Sequence, residues 1–157
     1  MNAIAEDAGI GTRWVSFELA AQRYAVDVRY VQEVIRPVEC TPVPGAPFDV
    51  LGIINLRGAI VAVLDGRRRL GLPGSAEAAL AAGSARIVIF DAGGEPVGVL
   101  VDAISDVLEL SDADIAPAPS GRAARAEDPV TGVLRRDDEF VALLDAARLV
   151  RAKTETS

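Results

Sequence analysis

A chain of 157 residues with 50% hydrophobic residues, 4% aromatics and a formal charge of −7 has the length of one domain or two small modules, and it can bury roughly 68–70% of its unfolded surface. Its apolar residues come in short runs, none near the ~18 residues needed to cross a bilayer. There is no histidine and only one cysteine, Cys40, which removes the commonest general base, the commonest zinc ligand, a phospho-accepting histidine, an internal disulfide and a Cys-x-x-Cys site. No cofactor is expected. The acidic balance also opposes binding to phosphate backbones. Cys40 has no basic neighbour nearer than Arg36 and reads as a passive structural thiol. Residues 1–12 carry Glu6 and Asp7 without a basic start or an apolar run, so they are not read as a signal peptide, and a cytoplasmic protein is expected.

In chain order the strand signals come first. Val15, Phe17 and Leu19 alternate with polar residues, and the alternation resumes as Tyr24, Val26 and Val28, which predicts a hairpin with one buried face. Ile53 to Leu56 and Ile60 to Leu64 flank Arg57-Gly58, a second hairpin in which Gly58 is free to take a positive φ. Ile87 to Phe90 and Val97 to Val101 flank Gly93-Gly94, and Val133-Leu134 and Phe140 to Leu144 flank a charged turn. Residues 73–85 and 111–128 read as loops, with a helical turn at Glu77 to Leu80. Asp145 to Val150 has helical spacing and suits a short closing helix. Residues 1–12 and 152–157 read as flexible ends.

The hairpins are related to one another. A shift of 73 places lays Val15, Phe17, Val26, Val28, Val31, Glu33 and Val34 onto Val88, Phe90, Val99, Val101, Ile104, Asp106 and Val107. A shift of 80 lays Gly52, Val61, Ala62, Leu64 and Asp65 onto Gly132, Val141, Ala142, Leu144 and Asp145. The chain reads as a duplication with units 13–72 and 84–151 inside a single domain, 13–151. Each unit has about five short strands, the size of a small closed barrel of OB or SH3 type, so an all-β fold of two packed five-stranded barrels is expected, with short helices at the connections and the C-terminus. A groove lined by both barrels is the natural docking place.

Differences between matched positions mark where the halves do different work. Unit one has Asn55-Leu56-Arg57-Gly58 at its second hairpin tip, whereas unit two has Arg135-Arg136-Asp137-Asp138. The second is an ordinary solvated turn. The first sets apolar Leu56 beside Arg57, a composition enriched at interfaces, although Leu56 folding back on its own barrel beside a solvated Arg57 is the blander possibility. Val28, Val31, Val34 and Ile35 form a second candidate patch: if the chain turns helical after Asp27, Val28, Val31 and Ile35 share one face and Glu33 lies off it. Val101, Ile104, Val107 and Leu108 are the matched set, with Asp106 in the place of Glu33. Core packing is the default for such residues, yet two equivalent apolar corners could line one groove fitted to an amphipathic helix.

The stretches Tyr24 to Val28, Val31 to Ile35, Thr41 to Pro44, Gly52 to Gly58 and Val63 to Asp65, followed by Val97 to Asp102, Val107-Leu108 and Ile115 to Pro119, together resemble the CheW family of bacterial chemotaxis coupling proteins. The Asn-Leu-Arg-Gly tip between apolar strands is the most specific piece. The resemblance implies two five-stranded barrels that exchange segments, and a non-catalytic adaptor linking the cytoplasmic tip of methyl-accepting chemoreceptors to the regulatory domain of the histidine kinase CheA, with other CheW-like domains as further partners in an array. It assigns receptor contact to Val31, Glu33, Arg57 and Ile104, alongside Val28, Leu56 and Val101 from the apolar corners and tip. Gly52 and Gly58 would support the kinase-docking surface. It also implies a cytoplasmic protein recruited to membrane-bound receptor arrays. Two positions depart from the family pattern: Gly66 stands where an apolar residue is usual, and Ala62 where Pro is common. Gly66 puts the geometry of Arg67 to Arg69 in doubt.

Other classes fare worse. An enzyme would rest on Asp65 with Asp145, or Glu33 with Asp106, as paired carboxylates, but each pair is explained by the duplication. An oligonucleotide-binding barrel needs exposed aromatics and a basic groove, whereas Trp14, Phe17, Tyr24 and Phe90 lie in or beside apolar strands and Lys153 is the sole lysine. Within the adaptor class, a system for twitching motility or development is the alternative.

Overall fold

The computed structural model describes residues 12–91, 94–117, 128–136 and 138–151. Four antiparallel hairpins form where the alternation predicts them: β1 (Thr12–Leu19) with β2 (Gln22–Asp27), β4 (Val50–Leu56) with β5 (Ala59–Asp65), β6 (Arg86–Phe90) with β7 (Val97–Val101), and β10 (Val130–Arg136) with β11 (Glu139–Leu144). Three further strands, β3 (Val31–Ile35), β8 (Ala103–Leu110) and the short β9 (Ile115–Pro117), complete two sheets. One is six-stranded in the order β8-β1-β2-β11-β10-β9, and the other is five-stranded in the order β3-β6-β7-β5-β4. The ends predicted to be flexible, apart from Thr12 in β1, lie outside the described residues, as does the 118–127 segment of the second predicted loop.

The two sheets are built alike. Val15 faces Val26 in β1–β2 and Val88 faces Val99 in β6–β7. Tyr24 pairs with Ala142 in the parallel β2–β11 ladder, and Val97 with Ala62 in the parallel β7–β5 ladder. These registers coincide under the two sequence shifts. Each sheet therefore takes its central hairpin from one half of the chain and its remaining strands from the other, which is the exchange of segments that the family resemblance implies. The two ends of each sheet are successive in the chain, so the backbone itself joins them. In the five-stranded sheet the joining is completed by a bridge between Thr41 and Ile53, with both hydrogen bonds at 2.9 Å. No ladder runs between β3 and β4 among the described residues.

The alternation sorts side chains into three cores. Ile87, Ile89, Leu100, Val61 and Val63 fill the five-stranded barrel. Ala25, Leu108, Leu134, Val141 and Leu143 fill the other. The opposite faces of the central hairpins carry Val15, Phe17, Tyr24, Val26, Val88, Phe90, Val99 and Val101, which pack into a third core that also takes Leu64, Leu144 and Leu149. Phe17 and Tyr24 stand directly opposite on β1 and β2 with ring centroids 6.2 Å apart. Small barrels have little interior of their own, so this shared layer is what makes the two halves one body.

Short helices stand at the connections. Asp65 caps α1 (Gly66–Arg69) by accepting from the Arg67 and Arg68 amides at 3.0 and 3.3 Å. α2 (Ala76–Ala82) is capped by Ser75 and ends at Gly83 in the left-handed region, extending the predicted turn at Glu77 to Leu80. Asp145 caps the closing helix α3 (Ala146–Val150) through the Arg148 amide at 3.0 Å. Asp65 and Asp145 are thus equivalent helix caps, which accounts for their sequence pairing without catalysis. The doubted Arg67 to Arg69 segment is ordered by partners. Arg67 bonds Asp102 through Nη2 at 2.6 Å and Nε at 3.1 Å, and these hydrogen bonds hold its pKa above the usual guanidinium value. Arg69 is buried and caps the end of α3 through the carbonyls of Leu149, Arg148 and Arg151. Gly66 fits a close approach, because a Cβ there would stand 2.6 Å from the Leu100 carbonyl oxygen.

Candidate functional site

The helical reading after Asp27 is corrected by the structure. Asp27 accepts from the Arg29 amide and its guanidinium, holding a single 3-10 turn at Val28–Tyr30, after which β3 begins. The β-branched run Val31, Val34 and Ile35 suits a strand, and β6 offers it a ladder. Period two then governs: Val31, Glu33 and Ile35 are partly buried, and Gln32 and Val34 are exposed. Glu33 thus shares a face with Ile35, opposite Ile89 and Ile87, whereas Val31 stands opposite Phe90 and packs on the shared core. The β3–β6 register also slips between Val31 and Glu33, a bulge that leaves Gln32 unpaired.

The β4–β5 hairpin turns through two residues, Leu56 pairing with Ala59 across Arg57-Gly58. Both turn residues have positive φ, 51° at Arg57 and 90° at Gly58, the geometry that matches the twist of a tight hairpin. Asn55 Oδ1 accepts from the Gly58 amide at 2.9 Å and fixes the turn. Leu56 packs partly against the five-stranded barrel's core. Arg57 is not a solvated lone charge: its guanidinium is paired with the carboxylate of Glu33. β3 and β4 are the two ends of the sheet, so this pair spans the seam between them.

The remaining candidates divide. Val28, Val31 and Ile104 are partly buried and pack against the core shared by the barrels, whereas Ile35 packs on the five-stranded barrel's core and Leu108 is buried in the other barrel, so each predicted corner is divided between cores. Val101 is 0% exposed within that core and offers nothing to a partner, a correction that follows from the inward alternation of β7. Gly52 is buried at a bulge in β4, and an added Cβ would run into the Thr41 carbonyl. Gly58 has open space around it and is required by its backbone angle alone. Both glycines act through backbone geometry.

Of the exposed apolar residues beside the seam, the sequence places Val34 and its match Val107 in the candidate patches but does not single out Ile60 and Phe140. Val34 and Ile60 are 40% and 61% exposed, and their matched residues Val107 and Phe140 are 60% and 66% exposed. The duplication shifts, applied to β3 and β5, identify both pairs. The matched acidic residues also behave alike, since Asp106 on β8 pairs with Arg23 at 2.8 Å as Glu33 pairs with Arg57. Arg23 comes from β2 and not from a hairpin tip; it also bonds Ser16 at 3.0 Å and approaches Glu139 at 3.4 Å. An open cavity of about 380 Å³ lies beside it, lined by Gln22, Val133, Glu139, Phe140 and their neighbours. In one barrel the matched acidic residue therefore meets a hairpin-tip arginine, Arg57, and in the other it meets Arg23 on β2, which also approaches Glu139.

Among the described residues, no group of three or more His, Cys, Asp or Glu could hold a metal ion, and no helix is long and apolar enough to cross a membrane. The exposed aromatics, Tyr30, Phe48 and Phe140, sit on separate elements. They do not form a stacking platform in a basic groove.

The CheW-like domain family matches residues 13–154, spanning both barrels and the seam. The chain belongs to that family. Among CheW relatives, the chemotaxis protein CheW of Rhizobium meliloti is 34% identical over 135 residues, covering 86% of this chain and 84% of that protein. Protein FrzA of Myxococcus xanthus is 29% identical over 151 residues, covering 95% and 91%. The crystal structure of the scaffolding protein TtCheW from Thermoanaerobacter tengcongensis has a TM-score of 0.75 at 29% identity, covering 91% of this chain and 94% of that one. The likeness to this scaffolding protein extends over both barrels.

Proposed function

We propose that the chain is a non-catalytic adaptor that couples chemoreceptors to the histidine kinase CheA in a bacterial chemosensory array, as a cytoplasmic protein recruited to membrane-bound receptors. Residues 13–151 act as one domain made of the units 13–72 and 84–151. The observation that carries the reading is the Glu33–Arg57 seam, an exposed arginine on a tight turn with Val34 and Ile60 exposed on the strands beside it. An arginine held beside apolar side chains is the composition of an interface centre. The helical receptor tip docks at the seam and at the apolar corner of Val28, Val31 and Ile104. The kinase regulatory domain docks on the surface whose backbone is shaped by Gly52 and Gly58. Family membership and the named chemotaxis relatives support the pathway. The likeness to FrzA favours, as a second reading, the same adaptor role in a system for twitching or development.

The test is a pull-down by the full chain offered a receptor-tip fragment, the CheA regulatory domain, or both. Capture of each alone and of the two together is expected. Capture of neither overturns the reading.

A further inference from the structure

An apolar pocket stands at one end of the five-stranded barrel. α2 lies over its mouth, but its sequence, Ala-Glu-Ala-Ala-Leu-Ala-Ala, gives mostly methyl groups where a plug would need bulk. A half-open pocket of about 230 Å³ lies between α2 and residues 37–40, lined by Val38, Cys40, Leu51 and Leu80, with Val63, Ile87 and Leu100 in its closed floor. Val63, Ile87 and Leu100 are fully or nearly fully buried parts of the barrel core. An apolar space of about 150 Å³ already suffices to take benzene.

The ionisable groups on the lining besides the Cys40 thiol are two carboxylates, Glu39 and Glu77, both exposed. Among the described residues neither takes part in an ion pair, although the chain's arginines pair freely elsewhere. An apolar cavity with two unneutralised carboxylates at its rim is complementary to one ligand class. We propose that it binds a small organic cation, an apolar body of about six to ten heavy atoms bearing one ammonium group, the body lying under α2 and the ammonium between Glu39 and Glu77. Apolar burial supplies the affinity and the carboxylates supply the preference for positive charge. The site stands apart from the Glu33–Arg57 seam and holds whether or not the chain is an adaptor.

Cys40 lines the cavity and is the sole thiol, so it reports occupancy. The probes are 2-phenylethylamine, neutral 2-phenylethanol and anionic 3-phenylpropanoate, each added to the full chain during alkylation by N-ethylmaleimide and during thermal unfolding. The amine is expected to slow alkylation about tenfold at ten times its Kd and to raise Tm. At low salt it should bind about five- to tenfold more tightly than the alcohol, with the acid weakest. Glu39→Gln with Glu77→Gln should abolish the preference for the amine, and Ala76→Leu should fill the cavity and abolish binding. The proposal is overturned if the amine neither protects Cys40 nor raises Tm, or if the alcohol or the acid binds as well as the amine. The glutamate variants are at exposed positions, so the result does not depend on how the core tolerates Ala76→Leu.

Discussion

Glu33 and Arg57 join the two ends of the five-stranded sheet, the carboxylate on β3 and the guanidinium at the tip of the β4–β5 hairpin. Arg57 is largely exposed, and such pairs contribute about 0–1 kcal/mol. Its backbone lies in the left-handed region, which costs a residue with a side chain about 1 kcal/mol or more. The two roughly cancel, so stability gives no reason for an arginine here. That balance leaves the side chain free for the partner contact proposed above.

Arg57→Gly removes the backbone strain together with the side chain. The variant should melt at or above the wild-type temperature, gaining up to about 1 kcal/mol, while co-assembly of receptor fragment and kinase falls. Thermal unfolding followed by circular dichroism, with sedimentation of the complex, separates the two effects. A parallel loss of both would assign Arg57 to the fold alone.

The two glycines should differ. Gly58→Ala meets no neighbour but keeps a positive φ, and should cost about 1 kcal/mol. Gly52→Ala drives a methyl group into the Thr41 carbonyl and should cost more, about 1–3 kcal/mol. Urea unfolding of both variants measures the order. Kinase binding should fall further for Gly52→Ala, because the Thr41–Ile53 bridge moves with it.

Arg69 closes α3 through three carbonyls and approaches Asp49 at 3.5 Å. Replacing this buried cation by Met leaves those acceptors and Asp49 without it, and should cost about 3 kcal/mol. Chemical denaturation reads the change directly. Asp49→Asn should cost less, since the carbonyl bonds remain.

Burial raises the Cys40 thiol above its ordinary pKa. Folding therefore favours the protonated thiol. The stability it contributes is intact below the unfolded thiol's pKa and is lost as pH rises through the folded value. Alkylation of the native chain should accordingly reach its half-maximal rate at a higher pH than alkylation of the urea-unfolded chain. Coinciding profiles would contradict the burial.

What could be read from the sequence was what repeats. Phe17 with Phe90, Val26 with Val99 and Asp65 with Asp145 stand in equivalent places because one pattern built both halves. The Val28 to Ile35 segment misled, since apolar residues at 28, 31 and 35 suit a helix as well as a bulged strand, and only the β6 ladder decides. Val101 misled for a related reason: alternation does not say which face of a central hairpin meets the other barrel. The Glu33–Arg57 contact was out of reach because it joins elements 24 residues apart across a seam that forms only when β6 and β7, from the other half of the chain, complete the sheet.

The most direct measurement is co-sedimentation of receptor fragments and CheA with either the wild-type chain or folded Arg57→Glu. The wild-type chain should bring both into one assembly, and Arg57→Glu, repelled by Glu33 but retaining its circular dichroism spectrum, should fail to do so. Full assembly by a folded Arg57→Glu chain would contradict the role assigned to the seam.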